Sequence, residues 1–358
     1  MSECGVREPL NQWFRDYLTG RSYRVQVGSA LSDERQVSCG VPQGSYTGPV
    51  SYLMHVNSLC GVLRHCSAHM FADDLCILRA GNASELPDTC RLVQQDVNAV
   101  VRWSHDNGIV LNAEKTKLLL IRSPYLKMPN PSNPITTHDF SCMHNNLLDC
   151  HCNPISRVNC VTYLGLKVDE HFSWTHHVDF IYNKLRVLLG KFYYLRFKVP
   201  LHILKYLYVS LVESIIGYAL DCYGLTTKTN LNKLESMQVR FLKLLVSNKT
   251  KDKNKKDYRN LFKICNILPV SLKHKYLIVF NNHGSREHTQ LHRNDVCGTR
   301  SVSAGKFVVP RVSNYYGDRC LHKRLPYIFN SLPSDIRQED NKVKFGKKLR
   351  SYLVNCIK

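Results

Sequence analysis

The sequence has no long uninterrupted apolar run. Its most apolar stretch, from Tyr206 to Leu220, is interrupted by Glu213 and is too short to cross a bilayer, which takes about 20 apolar residues. The first five residues, Met-Ser-Glu-Cys-Gly, contain no apolar core of the kind that a secretory signal needs. We therefore expect no membrane span and no secretion, and the expected location is nuclear or cytoplasmic.

Acidic residues are scarce relative to basic ones. The 358 residues include 28 Asp and Glu against 49 Lys and Arg, which gives a formal net charge of +21 at pH 7. Such an excess favours a polyanionic partner, most simply nucleic acid; a basic surface without a specific use is the alternative. The 15 cysteines are odd in number and irregular in spacing. We expect them to stay reduced rather than to form a disulfide framework.

Two adjacent carboxylates, Asp73 and Asp74, lie inside the otherwise apolar stretch from Ala68 to Leu78. Burying two unpaired carboxylates is costly, and in a plain strand the pair would point to opposite faces. The stretch therefore predicts a hairpin, with residues 70–72 ending one strand, the Asp pair at the turn, and residues 75–78 returning. There the carboxylates would lie at an open sheet edge and suit a hard cation such as Mg2+. The alternative is an ordinary Asp-rich turn.

A turn rich in glycine and proline precedes the Asp pair. Residues 39–49 read Cys-Gly-Val-Pro-Gln-Gly-Ser-Tyr-Thr-Gly-Pro, a composition that fixes the chain direction and allows close approach to the backbone. Gln43 supplies a hydrogen-bond donor and an acceptor in this turn. A helix is predicted to follow, with a buried face formed by Val50, Leu53, Met54, Val56 and Leu59.

These motifs occur in one order and at close spacing: Gly40–Ser45, then Gly48-Pro49, an apolar helix with Asn57, and Phe71–Asp74. Together they resemble reverse transcriptases, in particular those of non-LTR retrotransposons. The segment Trp13–Arg21, most of which falls in a predicted helix over residues 9–19, is similar to the family segment before the Val-Pro-Gln-Gly turn. Maturases of mobile introns share the Asp-Asp hairpin, but the Val-Pro-Gln-Gly turn favours the retrotransposon kind.

The resemblance implies RNA-directed DNA polymerase chemistry. In this phosphoryl transfer two divalent ions, Mg2+ in the family, activate the primer 3′-hydroxyl and stabilise the leaving pyrophosphate. The resemblance makes Asp73 the metal ligand of the hairpin, with Asp74 assisting or positioning. The implied partners are an RNA template, a DNA primer or RNA–DNA duplex, and deoxynucleotides. The residues implied to lie at the nucleotide and template are Pro42, Gln43, Gly44, Phe71, Ala72 and Asn112.

The resemblance continues beyond the hairpin. Residues 103–117 resemble the motif after the Asp pair, which places Lys115 near the phosphates of the incoming nucleotide, with Asn112 shaping the turn. An exposed ion pair with Glu114 is the alternative for Lys115. Residues 161–168 predict a strand with a central glycine, which often allows another backbone close. Within it, Tyr163-Leu164-Gly165 is similar to the primer-grip hairpin of the family.

We expect an α+β fold: a partial polymerase palm, made of an antiparallel sheet with packed helices, followed by a mainly helical thumb and a C-terminal tail. Apolar periodicity predicts helices over 92–107, 178–197, 201–220 and 231–246, and short strands over 109–111 and 118–121. The expected parts are a palm over 1–122, a loop-rich connection with the primer-grip-like hairpin over 123–175, a thumb-like region over 176–247, and a basic region of unknown role over 248–358.

One expected carboxylate is missing from the sequence. The family holds its ions with a further Asp on an apolar strand upstream of the Trp13–Arg21 segment, and neither Asp16 nor the polar loop with Asp33 and Glu34 fits that description. We therefore expect the chain to begin after that motif, either as a fragment of a longer reading frame or as a truncated, degenerate copy. In both cases we expect that this polypeptide alone does not polymerise DNA.

A cluster of sulfur and imidazole ligands occupies the proline-rich connection: Cys142, His144, Cys150, His151, Cys152 and Cys160. Thiolates and imidazoles bind zinc, but this spacing matches no common zinc module, so the metal question stays open at the level of sequence. His176-His177, by contrast, has no third ligand nearby in the sequence, and we interpret it as a helix entry.

Two other functions fit parts of the sequence. A non-catalytic nucleic-acid-binding remnant of a retroelement would keep the fold and the charge without the chemistry, and salt-dependent binding without nucleotide incorporation would favour it. A basic, purely helical protein with chance motifs is the second alternative, and circular dichroism would identify it.

Overall fold

The computed structural model describes residues 5–126, 134–138, 140, 142, 152, 154–246, 258–284, 306–312 and 314–357. The chain forms two units: residues 1–118 with 124–157, and residues 119–123 with 158–358. Helices and small antiparallel sheets make up both units, so the fold is of the expected α+β class.

The first unit begins with a short helix and a long nested hairpin. Its elements, in chain order, are helix α1 (Leu10–Leu18), strands β1 (Arg21–Tyr23), β2 (Gln26–Val27), β3 (Ala30–Leu31) and β4 (Arg35–Val37), helix α2 (Gly48–Val56), strands β5 (Ser67–Phe71) and β6 (Asp74–Leu78), and helix α3 (Leu86–Asp106). Strand β1 pairs with β4 and β2 pairs with β3, both antiparallel. The predicted helix over residues 9–19 is confirmed.

The core of the first unit lies between helix α2, the 3-10 turn that follows it, helix α3 and the β5–β6 hairpin. Its fully buried residues are Val56, Leu59, Val100 and Trp103, and Tyr52, Met70, Leu75 and Ile77 pack against them. The sequence prediction for the face of α2 is partly wrong, because Val50 and Leu53 are exposed by 51% and 57%. Tyr52, Val56 and Leu59 recur at steps of three and four residues, and Val50 lies on the opposite side of that stripe.

Helix α3 is longer than the predicted range of 92–107, because it begins at Leu86-Pro87 and places the proline at a first-turn position that needs no backbone N–H. The predicted stop is confirmed: Gly108 follows the helix with a φ of 66°. The strand predicted over 109–111 is absent from this described segment. Strand β7 (Lys117–Leu119) instead pairs with β8 (Ser156–Val158), and the boundary between the units falls within these two strands.

The second unit begins with a hairpin rather than one strand. Strands β9 (Cys160–Tyr163) and β10 (Leu166–Asp169) pair antiparallel with Tyr163 opposite Leu166. The single strand predicted over 161–168 is therefore wrong. Leu164 and Gly165 both have positive φ, 46° and 78°, which turns the chain back on itself instead of letting it run on.

The other elements described in the second unit are helices. They are α4 (Thr175–Leu195), α5 (Leu201–Leu207), a π-helical turn (Tyr208–Glu213), α6 (Ser214–Gly217), α7 (Leu220–Tyr223), α8 (Lys228–Val246), α9 (Tyr258–Cys265), α10 (Val270–Asn281), α11 (Tyr315–Arg319), α12 (Leu321–Asn330), α13 (Ser334–Arg337) and α14 (Lys342–Asn355). The predicted continuous helix over 201–220 is wrong, since Ala219 takes a φ of 50° and breaks it.

Two apolar clusters hold these helices. The first is centred on α4, α5 and α8, where Leu185, Tyr208 and Phe241 are fully buried, and the second joins α10, α12 and α14 through Ile278 and Phe345. The basic run of residues 249–256 lies outside the described residues. None of the described helices is both long enough and apolar enough to cross a membrane.

Candidate functional site

The predicted Asp hairpin is present. Strands β5 and β6 pair over five residues each, with Phe71 opposite Asp74. Ala72 and Asp73 form the two-residue turn, and Ala72 has the positive φ of 51° that such a tight turn demands. One detail differs from the prediction: only Asp73 lies in the turn, and Asp74 begins the returning strand. Both carboxylates are exposed at the tip.

Helix α2 lies beside this tip. Burial raises the pKa of the Tyr52 phenol, and the negative charge of Asp73 raises it further. Tyr52 also packs against the core that contains Met70 and Leu75 of the hairpin. The segment that follows the Gly-Pro turn and the Asp hairpin are therefore neighbours in space, as the order of motifs requires.

The turn before α2 is held by short-range contacts. Gly40 and Gly44 have φ values of 79° and 77°, which a side chain would disfavour. The amide of Ser45 donates to the carbonyl of Pro42 over 3.2 Å, and Arg21 donates to the carbonyl of Gly40 over 2.5 Å. The predicted site residues of this turn lie at its surface: Pro42 is half-buried, and Gln43 and Gly44 are exposed.

Helix α1 contacts the same turn. Hydrogen bonds from Ser45 and Thr47 lower the pKa of the Tyr17 phenol, outweighing the effect of desolvation, and the charge of Arg21 lowers it further. The helix that resembles the family segment before the turn is thus in contact with that turn.

Asn112 and Lys115 lie in one turn after helix α3. The side-chain oxygen of Asn112 accepts a hydrogen bond from the Lys115 amide over 2.9 Å, and its carbonyl accepts from the Thr116 amide over 3.1 Å. Lys115 is exposed, and within the described chain it makes no ion pair with Glu114. This turn is on the first unit, whereas the Tyr163-Leu164-Gly165 turn is on the second.

Sequence reasoning missed a buried carboxylate that anchors the Asp hairpin. Asp96 on helix α3 is 2% exposed and accepts hydrogen bonds from the amides of Arg64, His65 and Cys66, over 3.0, 2.9 and 2.8 Å. Burial alone would raise the pKa of Asp96, but these three donors and the Cys66 thiol outweigh it, and the pKa is lowered. The signal available in the sequence was an Asp directly before Val97, on the apolar face of a predicted helix.

Asp169 plays a similar part in the second unit. It is 4% exposed and accepts from the amides of His171, Ser173 and Trp174, over 3.1, 3.0 and 2.8 Å. Because its oxygens are occupied by backbone donors, Asp169 shapes the entry to helix α4. The helix-entry interpretation of the histidine pair agrees with this geometry: α4 begins at Thr175, and His177 is 2% exposed with a ring nitrogen that accepts from the Lys167 amide.

The oxygen donors of the Asp hairpin suit a divalent ion. Carboxylate oxygens are the ligands that Mg2+ prefers, and both carboxylates are accessible at the tip. In the described part of the chain, the single cluster of three metal-ligating side chains is His138, Cys142 and Cys152, so no third carboxylate joins Asp73 and Asp74. The donors are of the right type for a divalent ion, and among the described residues they are the two carboxylates of the hairpin.

Comparisons with known proteins agree with this geometry. The family model for reverse transcriptase (RNA-dependent DNA polymerase) matches residues 1–168, which include the turn, the Asp hairpin and the β9 strand. No solved structure matches the chain significantly.

The similar curated proteins come from insect mobile elements. A probable RNA-directed DNA polymerase from transposon X-element of Drosophila melanogaster is 24% identical over 289 residues, which is 78% of this chain and 28% of that protein. The RNA-directed DNA polymerase from mobile element jockey of the same species is 23% identical, over 64% of this chain and 24% of that protein. A Pol polyprotein of the R1 2 element of Nasonia vitripennis is 26% identical over 39% of this chain and 31% of its own length. The aligned regions thus span about a quarter to a third of these relatives.

Proposed function

We propose that this chain, whose residues 1–168 match the reverse transcriptase family model, supplies the later palm, the thumb and the tail of a non-LTR retrotransposon polymerase that copies RNA into DNA. In this proposal the palm part is residues 1–122, the hairpin-bearing connection is 123–175, the thumb is 176–247, and residues 248–358 follow it. The observation that carries the proposal is the exposed Asp73 turn beside Tyr52 of helix α2.

The chemistry that the proposal assigns to the Asp hairpin is metal binding. The family uses divalent ions, which activate the primer 3′-hydroxyl and neutralise charge on the phosphates. Asp73, in the turn, would be the ligand, and Asp74 would assist from the first position of β6. Mg2+ is the proposed ion because two hard oxygen donors at an exposed tip leave room for its retained water ligands.

Two turns of the first unit would receive the nucleotide and template. Pro42, Gln43 and Gly44 present an exposed backbone and a neutral amide side chain, while Phe71 and Ala72 border the metal ligand. In the turn capped by Asn112, Lys115 is exposed and carries a positive charge suited to a triphosphate. The Tyr163-Leu164-Gly165 turn is the proposed primer grip, because Gly165 is exposed in the turn and its lack of a side chain allows another backbone to approach closely.

The end of helix α4 supports a role in holding duplex. The Arg196 guanidinium lies 4.3 Å from the centre of the Phe197 ring, and the Lys198 ammonium lies 5.7 Å from that of Tyr194. Phe197 is 74% exposed and Tyr194 66% exposed. Exposed cations of this kind can contact the phosphates of a nucleic acid, and the exposed aromatic rings beside them can stack on its bases.

We further propose that the purified chain does not extend a primer by itself, because two carboxylates without a third hold two ions poorly. The test is extension of a DNA primer on an RNA template with Mg2+ or Mn2+. We expect no template-dependent incorporation above background. Incorporation that disappears in Asp73→Asn and persists in Asp33→Asn, an exposed Asp of the nested hairpin, would overturn this part of the proposal and leave the family role intact.

Binding supplies the second test. We expect the chain to bind an RNA–DNA duplex with an affinity that falls steeply as salt rises, since the contacts would be to phosphates. The Arg196→Gln/Lys198→Gln double variant should lower the slope of log K against log salt by about one to two. Lys275→Gln, an exposed cation on helix α10, is the matched control. Weak binding without salt dependence would contradict the role in holding duplex.

A further inference from the structure

Outside the Asp hairpin, the described residues bring together one further cluster of metal-binding groups. His138, Cys142 and Cys152 each offer one ligand atom, and these atoms all lie within 4.8 Å of one another. The Cys142 Sγ and the His138 Nδ1 are 3.8 Å apart. The sequence pointed to the two cysteines but not to His138, which lies four residues before the first of them.

The backbone explains why these groups meet. Thr136 and Pro154 form an antiparallel bridge, and the Ile155 amide donates to the Ile135 carbonyl over 2.8 Å. Counting two residues on from this bridge puts position 138 opposite position 152, which agrees with the short distance between the His138 and Cys152 ligand atoms. Because side chains two apart in an extended chain share a face, His138 and Cys152 are presented together.

Helix α3 fixes this bridge in the first unit. The Gln94 side chain donates to the Thr136 carbonyl and accepts from the Thr136 amide, both over 2.7 Å. Ile135 is only 3% exposed. The segment that carries His138 is therefore held against helix α3 by two hydrogen bonds to the Gln94 side chain and by the buried Ile135 side chain.

The third ligand comes from the next turn of chain. Residues 140 and 142 are helical, and Cys142 comes back beside His138, with its Sγ 3.8 Å from the His138 Nδ1. Phe140 stacks on His105 of helix α3, with ring centres 3.6 Å apart and planes at 2°. His138 and Phe140 also border a cavity of about 380 Å³ with residues 108–111.

We propose that His138, Cys142 and Cys152 bind one zinc ion that holds the connection between β7 and β8 in place. Zinc bonds are ~2.3 Å to sulfur and ~2.0 Å to nitrogen, so tetrahedral ligand atoms are roughly 3.5–3.8 Å apart. The three groups therefore need to move by about 1 Å or less. Of the other sulfur and imidazole groups in this connection, His144, Cys150 and His151 lie outside the described residues.

The site has a structural use. Joining residues 138, 142 and 152 through one metal ion closes a loop and removes conformational freedom from the unfolded chain. Two thiolates and an imidazole favour zinc over Mg2+, which prefers oxygen ligands. The proposal is therefore independent of the Asp hairpin and of the polymerase chemistry.

The test measures zinc in the full chain purified under reducing conditions and loaded with Zn2+. We expect about one zinc per chain, and a loss of roughly tenfold or more in each of Cys142→Ser, Cys152→Ser and His138→Gln. Cys90→Ser, a half-buried thiol of helix α3, should keep its zinc. A wild-type chain that holds no zinc, or variants that all keep it, would overturn the proposal.

Loading with Co2+ gives a readout that does not depend on the variants folding. We expect thiolate-to-metal charge-transfer absorption together with the intense visible bands of tetrahedral Co2+. A weak octahedral spectrum would overturn the assignment, as would a Cys142–Cys152 disulfide found by mass spectrometry in a metal-free chain.

Discussion

Tyr218 holds the tip of the β9–β10 hairpin: its hydroxyl donates a hydrogen bond to the Leu164 carbonyl over 2.7 Å. Its ring also borders Gly165, where an added Cβ would meet a ring carbon at 3.5 Å. The residue that positions the proposed primer grip is thus more than 50 residues away in sequence, at the end of helix α6.

We expect Tyr218→Phe to loosen this turn while leaving the fold in place. A single hydrogen bond of this kind contributes about 0.5–1.5 kcal/mol. Hydrogen exchange at residues 163–166 should accelerate, with little change elsewhere. Tyr206→Phe is the control, because Tyr206 is 70% exposed and lies in the same helical region. Equal exchange in both variants would show that the hydroxyl does not hold the turn.

Gly165→Ala should destabilise the chain, because a φ of 78° disfavours a side chain by roughly 1–2 kcal/mol. Gly190→Ala is a control for which we expect the opposite change in the free energy of unfolding. Gly190 is inside helix α4 with open space around its Cα, so alanine should stabilise the helix by about 0.5–1 kcal/mol. Urea unfolding measures both, and a stabilised Gly165→Ala would contradict the positive-φ turn.

Asp96→Asn should destabilise the first unit by about 1–3 kcal/mol, because an amide cannot satisfy three buried backbone donors with its single oxygen. Asp88→Asn, at an exposed position on the same helix, should change the unfolding free energy by less than about 1 kcal/mol. A similar loss in both variants would mean that charge on the helix, rather than the three amides, is responsible.

The same carboxylate predicts how stability depends on acid. Since the pKa of Asp96 is lowered in the folded chain, its contribution is present above the pKa of the unfolded chain, near 3.9, and is lost as the pH falls through the folded value. Wild-type stability should therefore fall more than that of Asp96→Asn between pH 5 and pH 3. Parallel acid titrations of the unfolding free energy check this.

His177 should make the free energy of unfolding depend on pH in a range above that of Asp96. Burial lowers the pKa of His177 to about 4, with further lowering by Lys167 and Lys184. Because the unfolded chain takes up a proton near pH 6.5, its share of stability is lost as pH falls from there to about 4, at up to about 1.4 kcal/mol per unit. His177→Gln should flatten this slope, and the exposed neighbour variant His176→Gln should not. Equal slopes in all three proteins would exclude His177 as the source.

Local features of the fold could be predicted from the sequence, because they depend on neighbouring residues. The Asp hairpin, helix α1 and the glycine stop after α3 follow from alternation, apolar spacing and the freedom of glycine. The palm, thumb and site roles stay predictions. The break at Ala219 and the hairpin turn at Leu164 were missed, because both place a residue other than glycine at positive φ.

The features that escaped prediction depend on contacts distant in sequence. Asp96 was invisible as an anchor because its three donors are backbone amides, which every residue carries. His138 joined the thiol cluster only through the register set by Thr136 and Pro154. Neither the net charge nor the spacing of the cysteines and histidines predicts that pairing.

Asp96 also connects helix α3 to the start of the Asp hairpin. Its carboxylate ties helix α3 to the three residues that lead into β5, and the strand then runs from Ser67 to Phe71, roughly 15 Å at the rise of an extended chain. A small tilt of α3 would therefore displace the Ala72-Asp73 turn at the other end of the strand. The position of the Asp73 carboxylate thus depends in part on the orientation of helix α3, through residues 64–66 and strand β5.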